Sequence, residues 1–335
     1  MKVIVVVFSI LFFLACSEEK KNQTISVKDV LKAHQQSQDF HQWIESSHHP
    51  YNLIKSHQIS CQELQSLSPE QLSVFYTALE SEKAKQTLEP SCRQGLIDRV
   101  NDYYQSFEQT QKANLNSSRV FNNQAPTRQV PVNAIGGPVF WYGERGGLDH
   151  KEVSLTFDDG PHPRLTPKLL DILDEYNVKA TFFVLGKNAK AYPEIIKEIV
   201  RRGHKLANHS HSHHNLPKYS FNHGVEEIET GFDEILKITD LVEPFFRFPY
   251  GAKTSALQKY LKSTDVATFF WDVDTLDWKK TNPQKLLAYS TEQVFKYNNG
   301  IVLFHDVQPQ TISVMRGFIE ELLLNNYRFA QHVSD

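Results

Sequence analysis

The sequence predicts an α/β fold, with about seven parallel strands and crossover helices closed or nearly closed into a β/α barrel, preceded by a smaller helical domain. Three observations carry this expectation. After residue 138, short β-rich apolar runs alternate with helix-patterned stretches, the pattern of parallel strands joined by helices. Before residue 116 the pattern is helical and polar. Polar residues of chemical interest cluster where the strand-like runs end, the face on which β/α barrels build their sites. Periodicity alone does not separate a closed barrel from an open sheet.

The chain of 335 residues has room for about two domains. Its 40% hydrophobic and 22% charged residues exclude a disordered protein, and three cysteines exclude a disulfide-dense scaffold. With 36 basic and 39 acidic side chains the net charge is −3, so nothing in the charge balance points to nucleic acid. Residues 1–16 read as an export signal, in which Lys2 precedes an almost wholly apolar run from Val3 to Phe13. That run is too short to span a bilayer, and no later stretch is apolar enough to do so. Phe13-Leu14-Ala15-Cys16 resembles a lipoprotein signal, with Cys16 as the lipid attachment site. Ala15-Cys16-Ser17 equally supplies the small-x-small pattern of ordinary cleavage before Glu18. The expected location is therefore the periplasm or outer membrane, or alternatively a soluble secreted form.

Export permits disulfides, and with Cys16 lipidated or removed, Cys61 and Cys92 are left to pair with each other; two free buried thiols are the alternative. Residues 17–115 read as a helical accessory domain. Within it Ser68-Pro69-Glu70-Gln71 is a helix start, with Ser as N-cap and Pro at the first helical position, and Leu72, Phe75 and Leu79 follow on one face. His34, His41 and His48 recur every seven residues. Two helical turns set such residues about 10 Å apart, too far to share an ion, so a solvated helix face is expected. Residues 116–137 read as a polar linker.

In residues 138–335, strand-like runs begin near Glu152, Lys179, His204, Pro244, Val266, Ile301 and Arg328. Helical stretches lie at about 166–176, 193–202, 222–239, 255–262, 283–297 and 311–325. Asp158 and Asp159 follow the first run, and His209, His211 and His213 follow the third. Arg247 ends the fourth run; Asp272, Asp274 and Asp277 follow the fifth; His305-Asp306 ends the sixth. Adjacent carboxylates repel unless a cation lies nearby or their roles diverge. Imidazoles at i, i+2 and i+4 bring His209 and His213 to one face of a helical turn, or all three to one face of a strand. Two imidazoles and a carboxylate leave a zinc ion one open position, as hydrolysis requires.

Thr156-Phe157-Asp158-Asp159-Gly160, His209-Ser-His-Ser-His213, Arg247-Phe-Pro-Tyr250, Asp274-Thr-Leu-Asp277-Trp278 and Leu303-Phe-His305 occur in that order. This series resembles the polysaccharide deacetylases of carbohydrate esterase family 4, over about residues 138–335. The resemblance implies a distorted (β/α) barrel with Asp159, His209 and His213 holding a divalent metal, usually Zn2+, with Co2+ or Mn2+ as other choices. It further implies Asp158 as general base, Arg247 orienting it, and His305 as general acid with Asp277 setting its tautomer. Tyr250 is implied as a backbone oxyanion donor, and Trp278 and Leu303 as the walls of an acetyl pocket. His162, His211, His214 and Asp274 are not expected to ligate this metal.

The implied activity is hydrolysis of N-acetyl groups on N-acetylglucosamine residues of a cell-wall polysaccharide, with peptidoglycan first and a chitooligosaccharide second. An O-acetyl polysaccharide esterase of the xylan type is the other enzyme reading. A catalytically inactive glycan-binding lipoprotein is the reading from outside the enzymes, and the intact base, acid and ligand set weighs against it. The expected partner is the polysaccharide, with membrane contact only through a lipid anchor.

Overall fold

The computed structural model describes residues 25–37, 43, 46, 49–55, 59–114, 126–140 and 145–335. The export signal with Cys16, the histidines His41 and His48, and residues 115–125 of the expected linker lie outside the described residues.

The N-terminal part is built from α1 (Val27–Gln36), α2 (Pro50–Lys55), α3 (Cys61–Gln65), α4 (Pro69–Leu72), α5 (Tyr76–Glu80), α6 (Glu82–Thr87) and the long α7 (Pro90–Asn114). Its short helices start on side chains that satisfy their free N–H groups. Ser26, Ser60 and Ser68 each accept from the third helical residue, whose own side chain answers the serine N–H. Cys61 and Cys92 are bridged, tying α3 to the start of α7.

The strands are β1 (Arg128–Val132), β2 (Val139–Phe140), β3 (Glu152–Asp158), β4 (Thr181–Val184), β5 (Lys205–Asn208), β6 (Val242–Phe246), β7 (Ala267–Phe269), β8 (Val273–Asp274), β9 (Gly300–His305) and β10 (Arg328–Ser334). Between them run α8 (Leu165–Glu175), α9 (Gly186–Ala191), α10 (Pro193–Arg201), α11 (Phe221–Leu236), α12 (Ser255–Ser263), α13 (Pro283–Tyr297) and α14 (Pro309–Leu324). Every strand pair is parallel. β9, β3, β4, β5, β6 and β7 are neighbours in that order, and β8 pairs with β9. The segment from β7 to β8 thus hydrogen-bonds β6 with its first part and β9 with its second, which closes the barrel.

Alternation along the strands sorts side chains between two cores. Leu155, Phe157, Phe182 and Leu206 pack outward with the helices, whereas Phe183, Ala207, Phe245 and Phe269 belong to a separate inner cluster. Burial of every residue of β3, β4 and β9 is what a strand covered on both faces requires.

Three sequence expectations change. The run near Arg328 is not a barrel stave: β10 pairs with the first half of β3, at Glu152–Ser154, while β4 takes up the second half at Thr156–Asp158. The expected linker contains β1, which pairs with β10 over its whole length. His34 is not solvated; it is 4% exposed, its ring stands edge-on to Trp43, and its Nε2 lies 3.3 Å from the Trp278 carbonyl oxygen. That last contact shows how the helical part sits. Its apolar residues, among them Leu72, Phe75, Leu79 and Ile97, form one continuous core with Phe318, Ile319 and the outer face of the barrel. The Tyr104 hydroxyl donates to Thr281 O at 2.6 Å, and Lys279 reaches Ser37 O.

Candidate active site

The site occupies the C-terminal ends of β3, β5, β6 and β9 and the segment following β8. β3 turns its Thr156 and Asp158 side chains to the barrel interior, opposite in sense to Leu155 and Phe157. Arg247, directly after β6, is fully buried and meets them there. Its Nη1 donates to Asp158 Oδ1 at 2.7 Å and to Thr156 Oγ1 at 2.9 Å, its Nη2 donates to Phe270 O at 3.1 Å, and its guanidinium lies 4.1 Å from the Phe183 ring centre. A planar cation stacked on an aromatic and anchored through both terminal nitrogens holds one rotamer, which fixes the Asp158 carboxylate through Nη1.

Asp159 leaves the strand with φ +74, a left-handed conformation that Asp tolerates better than most residues. Gly160 must follow, because a Cβ there would stand 2.2 Å from Asp306 Oδ2. Asp159 is thereby turned away from Asp158 and towards two histidines. His213 Nε2 is 3.2 Å and His209 Nε2 3.5 Å from Asp159 Oδ1, a buried oxygen that takes no hydrogen bond among the described residues. The histidine segment is neither helix nor strand. Positive φ at Ser210 (+70) and His213 (+64) winds it so that His209 and His213 converge, while the His211 ring is directed to Gly186.

The other ring nitrogens are committed. His209 Nδ1 donates to Arg247 O at 2.8 Å, and His213 Nδ1 donates to the Tyr250 hydroxyl at 2.9 Å, which itself donates to His213 O. Both Nε2 atoms are thereby left as lone-pair donors on the side of the Asp pair, that of His209 standing 3.5 Å from Asp159 Oδ1 and 3.6 Å from Asp158 Oδ2. Burial lowers both histidines to about 4, so both rings are neutral near pH 7. Burial opposes the charge of Asp159, yet His213, His305, His209 and Lys187 together hold it below the usual carboxylate range. Ligand atoms about 2.0–2.1 Å from a tetrahedral zinc stand about 3.3 Å apart, so this donor set fits a divalent metal.

His305 ends β9. Its Nδ1 donates to Asp277 Oδ1 at 2.7 Å and its backbone N–H donates to Asp277 Oδ2 at 2.7 Å. Asp277 is fully buried and also accepts from Thr311 Oγ1 at 2.5 Å and Trp278 N at 2.9 Å. Burial works to lower the His305 pKa, but Asp277, and then Asp159 and Asp158, raise it to about 10. One rim thus carries neutral imidazoles beside a carboxylate and, across from them, an imidazolium.

The expected substrate residues are placed unequally. Trp278 lines the cleft above the site, although only 5% exposed. Leu303 lies two residues before His305 on the same face of β9 and is 4% exposed. The Tyr250 side chain lies against His213, a supporting contact that the sequence did not suggest. Sequence reasoning also missed Asn188, which donates to Asp159 O at 2.7 Å, and Lys187, whose charge acts on Asp159. Neither belongs to a recognisable spacing.

The cleft itself has a volume of about 530 Å3, and one of its walls is the helical part: Trp43, Thr77, Arg93 and Gln94 face Asp159 and His213 across it. Glu80 fastens the two parts at this edge by pairing with both His162 and Arg164 in the loop after β3. His162 thus serves at this docking edge, its Nε2 engaged by Glu80.

The polysaccharide deacetylase family profile matches residues 145–269. A peptidoglycan-N-acetylglucosamine deacetylase of Bacillus cereus is 40% identical over 138 residues, which cover 41% of this chain and 50% of that protein. A peptidoglycan-N-acetylmuramic acid deacetylase of Bacillus subtilis, PdaA, is 32% identical over 187 residues, covering 55% of this chain and 71% of that protein. The chain spans half or less of the length of several of the curated relatives it matches. Among solved structures, the Bdellovibrio bacteriovorus peptidoglycan deacetylase Bd3279 superposes with a TM-score of 0.80 at 27% identity, covering 93% of this chain and 95% of that one. The similarity to that structure therefore extends into the helical part, for which the sequence alone offered no counterpart. With five motifs converging on one rim and a relative matched over most of its length, the chain belongs to the polysaccharide deacetylase family.

Proposed function

We propose that this chain removes N-acetyl groups from N-acetylglucosamine residues of peptidoglycan, with a divalent metal, zinc by preference, held by Asp159, His209 and His213. The observation that carries the reading is the division of charge on the rim: a carboxylate fixed by a buried guanidinium on one side, an imidazolium fixed by a buried carboxylate on the other. An amide carbonyl is a poor electrophile and its amine a poor leaving group. A bound divalent ion supplies a Lewis acid that polarises the acetyl oxygen and lowers the pKa of water. Asp158, its orientation set by Arg247, accepts the proton of the attacking water. His305, kept protonated by Asp277, gives a proton to the departing nitrogen. The backbone N–H of Tyr250 donates to the developing oxyanion. Leu303 and Trp278 enclose the methyl group, and the wall of helical residues excludes water from one side of the cleft.

Peptidoglycan lies outside the cytoplasm, and the export signal over residues 1–16, with lipid attached at Cys16, delivers the chain there. Arg93, Arg164, Lys85 and Lys187 line the cleft together with Glu80 and Asp159, a net positive lining that suits a polymer bearing carboxylates. Acetate release from purified peptidoglycan, N-acetylated chitin oligomers and acetylated xylan, each with and without chelator, tests the proposal. Chelator-sensitive release from an N-acetylated polymer is expected. Release from acetylated xylan alone overturns the amide reading, and no release from any of the three by metal-loaded protein overturns the enzymatic one.

A further inference from the structure

A second group of metal-type ligands lies outside the site described above. His223 and Glu227 are four residues apart on α11, so they share one face of the helix. His214, from the loop that carries His213, reaches across to both. Its Nδ1 is 3.3 Å from His223 Nε2 and 3.4 Å from Glu227 Oε1, and the three atoms all lie within 4.8 Å of one another. These two edges match the separation of about 3.3 Å between ligands of a tetrahedral zinc, and they are close to those of the Asp159 set, at 3.2 and 3.5 Å.

The group behind the carboxylate ligand is also arranged as a metal site requires. Glu227 turns Oε1 to the histidines while its Oε2 accepts from Ser212 N at 2.8 Å, which fixes the carboxylate. His223 turns Nε2 inward, and its Nδ1 lies 3.6 Å from Glu226 Oε2, outside hydrogen-bond distance. Glu227 is 7% exposed at its side chain, but His214 and His223 are 39% and 33% exposed, which leaves an entry path and room for a water ligand. The two imidazoles pack with Tyr219, ring centres 4.6–5.4 Å apart, the His214 ring stacked on Tyr219 and the other two pairs tilted.

We propose that His214, His223 and Glu227 form a second divalent-metal site, separate from the one at Asp159, which pins the loop bearing His213 to α11. Two histidines and a carboxylate suit zinc or a neighbouring first-row ion rather than calcium or magnesium. The ion would add to the bonds by which this loop already meets α11, Ser212 N to Glu227 Oε2 and His211 N to Glu227 O at 2.9 Å.

The test is metal stoichiometry on the full chain, stripped with chelator, reloaded with zinc chloride, desalted and measured by mass spectrometry of the elements. Two ions per chain in the unaltered protein, one in His223→Ala and one in Asp159→Asn support the proposal. One ion in the unaltered protein, or two in His223→Ala, overturns it. Hydrogen exchange on Asp159→Asn locates the retained ion: zinc should slow exchange over residues 210–227, and no change there overturns the assignment. None of these readouts depends on deacetylation, so their failure and the failure of the proposed function are distinguishable.

Discussion

Replacing Asp277 by Asn tests the acid side of the site. The substitution keeps size and leaves an oxygen for one of the N–H donors, but removes the charge that His305 leans on. At an effective dielectric of about 20 and a separation of about 4 Å, that charge is worth about 4 kcal/mol to an imidazolium, or about 3 pK units at about 1.36 kcal/mol each. This agrees in size with the displacement of His305 from 6.5 to about 10. A cation on Asp159 screens part of the remaining attraction, so in the metal-loaded protein the limb falls below 10. With Asp277 neutral, burial is unopposed by its nearest charge, and His305 becomes mostly neutral near pH 7. The assay is kcat for acetate release across pH. In the unaltered protein activity falls on the alkaline side as His305 loses its proton. In Asp277→Asn that limb moves to lower pH by about 2–3 units, and kcat drops by about 10²–10⁴-fold, the range for a positioned general acid. Stability follows the same sign: because the folded pKa is raised, the contribution of the pair is full below pH 6.5 and is lost as pH rises through about 10. An unmoved alkaline limb with kcat intact would refute the assignment of His305 as the acid held by Asp277.

Three further outcomes are expected. Asp158→Asn keeps the full metal content of the unaltered protein and loses nearly all turnover, whereas Asp159→Asn, His209→Ala and His213→Ala each lose one equivalent of metal, as read by elemental analysis; the reverse pattern means that the two carboxylates have been assigned backwards. Tyr250→Phe removes the acceptor for His213 Nδ1, 2.9 Å away, and should weaken zinc affinity by about 10–100-fold in a competition titration, with no weakening arguing that the hydroxyl does not orient the ligand. Arg247→Met leaves the Asp158 carboxylate buried without its counter-charge and should cost about 3–5 kcal/mol in denaturant unfolding, together with turnover; a loss under about 1 kcal/mol would show that the pair is not the structural anchor described.

The candidate site was legible in the sequence because its residues sit at strand ends, and strand ends are marked locally by β-rich runs stopping at polar residues. Asp158, Asp159, His209, His213, Arg247 and His305 could be placed on one rim by that signal, and the Ser68-Pro69 helix start by capping chemistry. What stayed hidden depends on long-range pairing or on which face of an element finds a partner. β1 reads as a polar linker because a lone parallel strand has no periodicity of its own, and it becomes a strand only when β10 supplies its hydrogen bonds. β10 is apolar enough for the barrel, but β3 can offer it only its first half. His34 lies on a polar helix and is buried because two tryptophans, one of them from the barrel, close over it. Residue identity and local order determined which side chains meet at the candidate site; packing of the helical part onto the barrel decided that its cleft has two walls, since shared apolar burial is a property of surfaces that meet only after folding.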